Sequence, residues 1–319
     1  MTLERKLGMA TRDAYGKALV LLGSTNPNVV VLDADLSKST KTDGFAKAFP
    51  DRFFDCGIQE ADMAGIAAGL SLSGFVPFFN SFACFLMCKT YDQLRMSIAF
   101  PELNVKAIGS HGGISVGEDG ASQQSIEDFA LAASLPNFTV LSPCDEVETM
   151  ALVLKIAEHK GPVFMRTGRP KAPIIYGNGN PPKFEIGKGI VLRDGKDLSI
   201  FANGLLVFEA LAAADVLSGK GIEASVIDIH TIKPIDRDLV VTEAKKTGAV
   251  VSCEEHQIYG GLGSIISKVL AEECPTPIEF VAIQDTYAES GTPDELLKKY
   301  KLTAHDIIEA SEKALRRKK

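Results

Sequence analysis

Short β-branched runs alternate with amphipathic stretches along this chain, the pattern of parallel sheets covered by helices on both faces. The runs predict strands at residues 29–32, 105–109, 139–141 and 163–166, with helices at 11–22, 60–72 and 126–135. Together these make a first α/β domain, residues 1–170. The text that follows, PKAPIIYGNGNPPKFEIGK, is dense in Pro, Gly and Asn and reads as a linker, residues 171–186. A second α/β unit, residues 187–319, carries predicted strands at 198–202, 225–229, 250–253 and 278–282, with helices beginning near Leu205, Leu239 and Leu262. The expected fold class is therefore α/β, with two α/β domains and mainly parallel sheets. A chain of 319 residues is long enough for two such domains to bury a core each.

Charge and composition exclude several classes of function. The 34 Lys and Arg against 41 Asp and Glu leave a formal charge of -7, which gives no bulk attraction to a nucleic acid or an anionic membrane. No apolar run approaches the ~18 residues of a membrane helix, and MTLERKLGMATRDAY lacks a signal-peptide core, so a cytoplasmic protein is expected. The six cysteines form no Cys-x-x-Cys pair and have no histidine at zinc-ligand spacing. They are read as buried thiols, and no metal ligands are assigned to this chain.

Ligands meet an open parallel sheet at the carboxyl ends of its strands. Run 29–32 leads into Asp33, Asp35, Ser37 and Ser39; run 105–109 leads into His111 and a GGISVGEDG loop; run 163–166 ends at Arg166, with Arg169 beyond. Singly, each is explained by a helix cap or a surface ion pair. Together they line one edge with carboxylate, hydroxyl, imidazole and guanidinium groups, which suits a small polar or phosphorylated substrate. In FFDCGIQEADMAGIAAGLSLSG, Glu60 opens a helix, where the macrodipole alone favours an acid. Phe79, Phe82 and Phe85 follow three apart, a spacing that serves a core or walls an apolar slot for a flat ring.

With these motifs assembled, the chain resembles the transketolase family of thiamine-diphosphate enzymes, in the part after the diphosphate-binding domain. The likeness rests on ADLS at 34–37, GIQEADM at 57–63, FFNSFACF at 78–85, SHGGISVGEDGASQQSIED, PVFMRTGR, and TIKPID followed by CEEHQIYGGLGS. It implies a pyrimidine-binding domain followed by a transketolase C-terminal domain. Carried over by residue, Glu60 matches the glutamate that bonds the aminopyrimidine ring, while Phe79, Phe82 and Phe85 match the aromatic residues around it. Asp35 falls near the thiazolium and the donor sugar. Ser39, His111 and Arg166 match the groups holding the sugar phosphate, Asp119 contacts a donor hydroxyl, and Gln123 stands where many members have histidine. Glu60 and His111 are the expected catalytic residues.

The family's Gly-Asp-Gly motif for diphosphate and metal does not occur in the sequence. The resemblance thus implies the carboxy-terminal subunit of a split transketolase, working in a heterotetramer with an amino-terminal subunit that supplies the Mg2+ ligands. The implied reaction is transfer of a two-carbon ketol unit from a ketose phosphate to an aldose phosphate. Two alternatives stay open: the beta subunit of a 2-oxo acid dehydrogenase or a deoxyxylulose-phosphate-synthase-like enzyme, and a noncatalytic scaffold subunit. The glycines at Gly260, Gly261 and Gly263 read as a packing turn, and His256 as structural or interfacial.

Overall fold

The structure is a computed structural model that describes residues 4–177 and 179–318. Asn178 of the predicted linker, and residues 1–3 and 319 at the ends of the predicted domains, lie outside the described residues. The first sheet has seven strands, in the edge-to-edge order Thr231–Lys233, Thr139–Leu141, Val163–Thr167, Lys106–Ser110, Val76–Phe82, Val29–Asp33 and Phe53–Asp55. Its pairings are parallel except at the first edge. The second sheet runs Ile278–Ile283, Val250–Gln257, Leu198–Ala202, Ala224–Asp228 and Ile190–Arg193, with only the last strand antiparallel. Two α/β domains with mainly parallel sheets are thus observed, as the runs predict.

The strand Val76–Phe82 lies within the aromatic stretch that periodicity left unassigned. All seven of its residues are buried, because it is a central strand covered on both faces. Alternation along it sends Phe78 into a cluster with Tyr15, Val31 and Met165, and Phe79 into the opposite cluster with Leu32, Met63 and Phe164. The helix Glu60–Leu72 lies where the sequence put it and packs Met63, Ala64, Ala67 and Ala68 inward.

The two domains interlock. The strand Thr231–Lys233, from the second half of the chain, pairs antiparallel with Thr139–Leu141 and closes the first sheet. Ile232 is fully buried in the first domain's core with Phe138, Val140 and Phe164. Lys233 Nζ donates to the carbonyls of Ala133 and Leu135 at 2.9 and 2.5 Å, capping the end of the helix Asp128–Ser134. At the start of the predicted linker, Lys171–Pro173 pairs antiparallel with Leu7–Ala10.

The expectation of buried thiols holds for Cys84, Cys144 and Cys253; Cys56 and Cys274 are half-buried and Cys88 is exposed on the helix Ala83–Lys89. Among the described residues no helix is long and apolar enough to cross a membrane. Because Ile232 joins one domain to the core of the other, Ile232→Ala should cost about 2–5 kcal/mol, the range for emptying a packed site. Urea unfolding measures it; a loss below about 1 kcal/mol would show that the borrowed strand is peripheral.

Candidate functional site

The site is built at the carboxyl edge of the first sheet. Strand Val29–Asp33 ends on the buried Asp33, whose carboxylate accepts the Leu36 N–H at 2.7 Å and the Thr40 and Thr42 hydroxyls at 2.6 and 2.8 Å. Burial raises the Asp33 carboxyl to about 6 against the lowering effect of those bonds. They fold the ADLSKST segment back over the edge. Asp35 is exposed there with φ 61°, its N–H bonded to Asp55 Oδ1 at 3.1 Å. Half-buried Ser39 offers its carbonyl to Arg12 Nη1 at 3.1 Å.

The strand Lys106–Ser110, one strand beyond Val76–Phe82, delivers His111, buried, with φ 60°. Arg12 Nη1 lies 3.1 Å from its Nε2 and Ser110 Oγ 2.8 Å from its Nδ1. A guanidinium only donates, so Nε2 accepts and the ring's single proton sits on Nδ1, facing Ser110. Burial, followed by the positive charges of Arg12, Arg169 and Lys41, pushes His111 down to about 3. The ring is therefore a neutral imidazole at physiological pH.

From His111 the site continues as a file of stacked groups. The imidazole stacks on Phe82 at 3.9 Å and 22° between planes, and Phe82 stacks on Phe85 at 5.8 Å and 12°. Lys89 Nζ lies 4.5 Å above the Phe85 ring and 3.0 Å from Glu60 Oε1. Glu60 is 3% exposed at the head of its helix, and no other ion pair reaches it among the described residues. Arg12, His111, Phe82, Phe85, Lys89 and Glu60 thus form one continuous sequence of contacts. The file has a cationic end, an apolar middle and a carboxylate end.

Of the sequence-predicted residues, the structure joins Glu60, Phe82, Phe85 and His111 directly, with Ser39 attached through Arg12. Phe79 is not in the file: strand alternation turns it into the core. Asp119 is exposed on the GEDG turn, and half-buried Gln123 accepts the Ser122 hydroxyl at 2.5 Å on its Oε1. This loop is tied to the second domain, where Gln124 Nε2 donates to the carbonyl of Glu289 at 3.1 Å as well as to that of Gly117 at 3.2 Å.

Arg166 lies outside the file. Its guanidinium is committed to Asp128, with Nε on Oδ2 at 2.7 Å and Nη2 on Oδ1. It also donates to the carbonyls of Glu255 at 2.7 Å and Ser125 at 3.3 Å, and lies 3.7 Å above the Phe129 ring. Buried, it braces the domains with four of its five N–H groups committed. Arg169, three residues on and half-buried outside the strand, bonds Glu118 Oε2 at 2.7 Å and the Val116 carbonyl, and its charge acts on His111. Arg12, Lys41 and Lys89 also belong to the site although the sequence reading gave them no role, and Asp33, read as an edge carboxylate, organises the segment behind it. Lys89, one helical turn after Phe85, was the one such signal available in the spacing.

The remaining motifs are structural. Glu254 accepts the N–H groups of Leu262 and Gly263 at 2.7 and 2.9 Å, so the glycine turn is a helix start held by a buried carboxylate. His256 stacks on Phe129 at 5.3 Å across the domain boundary. A groove of about 710 Å³ between Ile278–Ile283 and Ala304–Arg317 holds none of the candidate residues.

Two interlocked α/β domains, with a polar file at the carboxyl edge of a parallel sheet, define a chain of the pyrimidine-domain and C-terminal-domain class found in coenzyme-dependent transferases. Residues 8–174 match the transketolase pyrimidine-binding domain family and residues 187–307 the transketolase C-terminal domain family. The chain is 44% identical over 93% of its length to a protein of Methanocaldococcus jannaschii named as a transketolase C-terminal section, covering 93% of that protein. It is 39% identical to a 6-deoxy-6-sulfo-D-fructose transketolase subunit of Clostridium sp., with 96% of this chain and 95% of that subunit covered. Against human transketolase it is 39% identical over 95% of its own length but spans only 48% of that protein. A solved split-gene transketolase, an inactive beta4 tetramer, superposes with TM-score 0.91 at 51% identity, covering 98% of this chain and 100% of the other. The chain belongs to the transketolase family and corresponds to the C-terminal subunit of its split members.

Arg166→Met should cost about 3–5 kcal/mol in urea unfolding by stranding buried Asp128. Arg169→Met should stay within about 1 kcal/mol, as expected of a partly exposed pair. Equal losses would contradict the division of labour. His111, held below its unfolded value of ~6.5, lets the unfolded chain bind the extra proton between that value and about 3. Its stabilising contribution is thus present above ~6.5 and is lost as pH falls through this window. In NMR titration of the ring nitrogens, His111 should stay neutral from about pH 8 to pH 5; a midpoint near 6.5 would contradict the Arg12 contact.

Proposed function

We propose that the file from Arg12 to Glu60 is this chain's half of a thiamine-diphosphate site that transfers a two-carbon ketol unit from a ketose phosphate to an aldose phosphate. The observation that carries this is the continuous contact between an anion-seeking end and a buried carboxylate across stacked aromatic rings. The residues fit the pyrimidine half of the coenzyme. Glu60 offers a carboxylate beside an apolar wall, and Phe82 and Phe85 offer near-parallel faces for a flat ring. When bound, the coenzyme supplies the electron sink for breaking and making the carbon–carbon bond.

The residues of this chain then have distinct tasks. Glu60 would hold or release a proton toward the coenzyme's ring, with Lys89, now 3.0 Å from that carboxylate, giving up the contact. His111, fixed neutral with its proton on Nδ1, presents Nε2 as an acceptor to Arg12. That leaves Arg12 Nε, which is buried and has no hydrogen-bond partner, as a donor awaiting an anion. Arg12, Arg169 and Lys41 would hold the sugar phosphate, and the Ser39 hydroxyl would join them. Asp35, Asp119 and Gln123 line the approach and would meet the sugar's hydroxyl and carbonyl oxygens.

The metal side is expected from elsewhere. Among the described residues, the groupings with metal-ligand chemistry are Cys144, Glu148 and Asp228, buried between the domains, and His305, Asp306 and Glu309, on the last helix. Neither borders Glu60, so Mg2+ and the diphosphate would be held by an amino-terminal subunit in a heterotetramer. We assign residues 1–170 to the pyrimidine side, 171–186 to the linker and 187–319 to the C-terminal domain. The names of two relatives specify a sulfonated fructose and apulose 4-phosphate, and a guanidinium cluster accepts either kind of anionic head.

In the reconstituted complex, Glu60→Gln should lower turnover at least about a hundredfold, the scale of an acid–base contribution. An unchanged rate would remove Glu60 from the chemistry. Arg169→Met should raise KM for the sugar phosphate by at least about tenfold, as expected from losing ~1.5 kcal/mol of charge-assisted hydrogen bonding. The effect on kcat should be smaller, and an unchanged KM would exclude Arg169 from the phosphate contact. A panel of phosphorylated and sulfonated ketoses, with pyruvate as the control for a 2-oxo acid reaction, fixes the donor.

A further inference from the structure

Away from the site, two carboxyl groups from different domains meet in a dry space. Glu148 stands in the first turn of the helix Glu146–Glu158 of the first domain, and Asp228 ends the strand Ala224–Asp228 of the second. Both are 0% exposed. Glu148 Oε2 accepts the Cys144 N–H at 2.7 Å. Asp228 Oδ2 accepts the hydroxyl of Tyr176, from the stretch joining the domains, at 2.7 Å, and the Cys144 thiol at 3.5 Å. The second oxygen of each carboxyl, Glu148 Oε1 and Asp228 Oδ1, is buried with no donor from any other residue.

The surroundings supply no positive charge. Asp145 faces the pair from the helix cap, with its own oxygens bonded to the N–H groups of Glu148, Ile175 and Tyr176. Cys144 and Tyr176 are neutral donors. His230, two residues beyond Asp228, is kept neutral by burial, which lowers it to about 4. No lysine or arginine forms an ion pair with either carboxyl among the described residues. Two ionised carboxylates side by side without a cation would repel strongly, and an apolar interior magnifies the effect. The two carboxyls approach within 4.8 Å at one oxygen each, so one proton shared between them removes the repulsion.

We propose that Glu148 and Asp228 share a proton and so form a pH-sensitive latch that docks the second domain, through Tyr176 and Cys144, onto the first. Burial supports it, raising Asp228 to about 6 against the lowering effect of the hydrogen bonds from Tyr176, Glu148 and Cys144, while burial and the charge of Asp228 raise Glu148 well above the carboxylate range. Each carboxyl has an ordinary value near 4 in the unfolded chain, so above that value and below those of the folded pair the folded chain holds the extra proton. Docking is thus firm in mild acid and weakens as pH rises through the folded pair's range.

The test is urea unfolding of the full chain between about pH 5 and pH 8.5, comparing wild type with Glu148→Gln and Asp228→Asn, whose amides donate without titrating. The ratio of the wild-type unfolding constant to that of either variant should climb by up to about tenfold per pH unit inside the window. Hydrogen exchange at Thr231–Lys233, corrected for its intrinsic pH dependence, should accelerate in parallel in wild type only. Parallel stability curves would overturn the latch, as would a stoichiometric metal ion in purified wild type that either variant lacks. If the variants do not fold, the infrared carbonyl band of a protonated carboxylic acid in wild type at neutral pH decides the matter: its presence supports the shared proton and its absence overturns it.

Discussion

The bidentate pair between Arg166 and Asp128 holds the most consequential junction in the molecule. A guanidinium taken out of water is tolerated only if its donors are met, and here they reach a carboxylate on one helix, a carbonyl in the His111 loop and a carbonyl in the second domain. The same junction carries Glu255 Oε1 onto the Ser115 N–H at 2.6 Å, so the second domain fixes the start of the loop that presents His111. The glycine at Gly113 leaves room for this, since a Cβ there would lie 2.2 Å from the Glu255 carboxyl carbon. The second domain is therefore part of how the site is shaped although it contributes no residue to the file.

A second constraint follows from stacking. His111 is pressed against Phe82 and bonded at both nitrogens, so its tautomer and orientation are determined by packing and by Arg12 together. Phe82 is also the hinge between a central strand and the following helix, which puts Phe85 and Lys89 on successive turns beside it. A single strand-to-helix corner thereby converts a sequence spacing of three and four residues into a path from imidazole to carboxylate.

Much of this was legible in the sequence. Strands 139–141 and 198–202 and the helix 60–72 were read with the bounds observed, because buried parallel strands and Ala-rich helices leave strong local signals. Glu60 was singled out by its place at a helix start, Phe82 and Phe85 by their spacing, and His111 by the apolar run it follows; that they touch in one file comes from the fold. Phe79 was misplaced because a spacing of three says nothing about the strand alternation that turns it inward. The ion pair of Arg166 was not legible because PVFMRTGR holds two arginines, and local pattern does not reveal that the strand continues to Thr167, burying the first and releasing the second. The borrowed strand at Thr231–Lys233 and the Glu148–Asp228 contact depend on residues about 90 and 80 positions apart, distances at which local propensity carries no information.

The central claim is that the carboxylate end of this file meets the pyrimidine ring of a coenzyme whose diphosphate another chain holds. The direct measurement is a crystal structure of the chain assembled with an amino-terminal transketolase subunit, thiamine diphosphate and Mg2+. The account predicts the aminopyrimidine against Glu60 and the Phe82–Phe85 wall, with every metal ligand on the other polypeptide or the coenzyme. A ring seated elsewhere, or a metal held by residues of this chain, would contradict it.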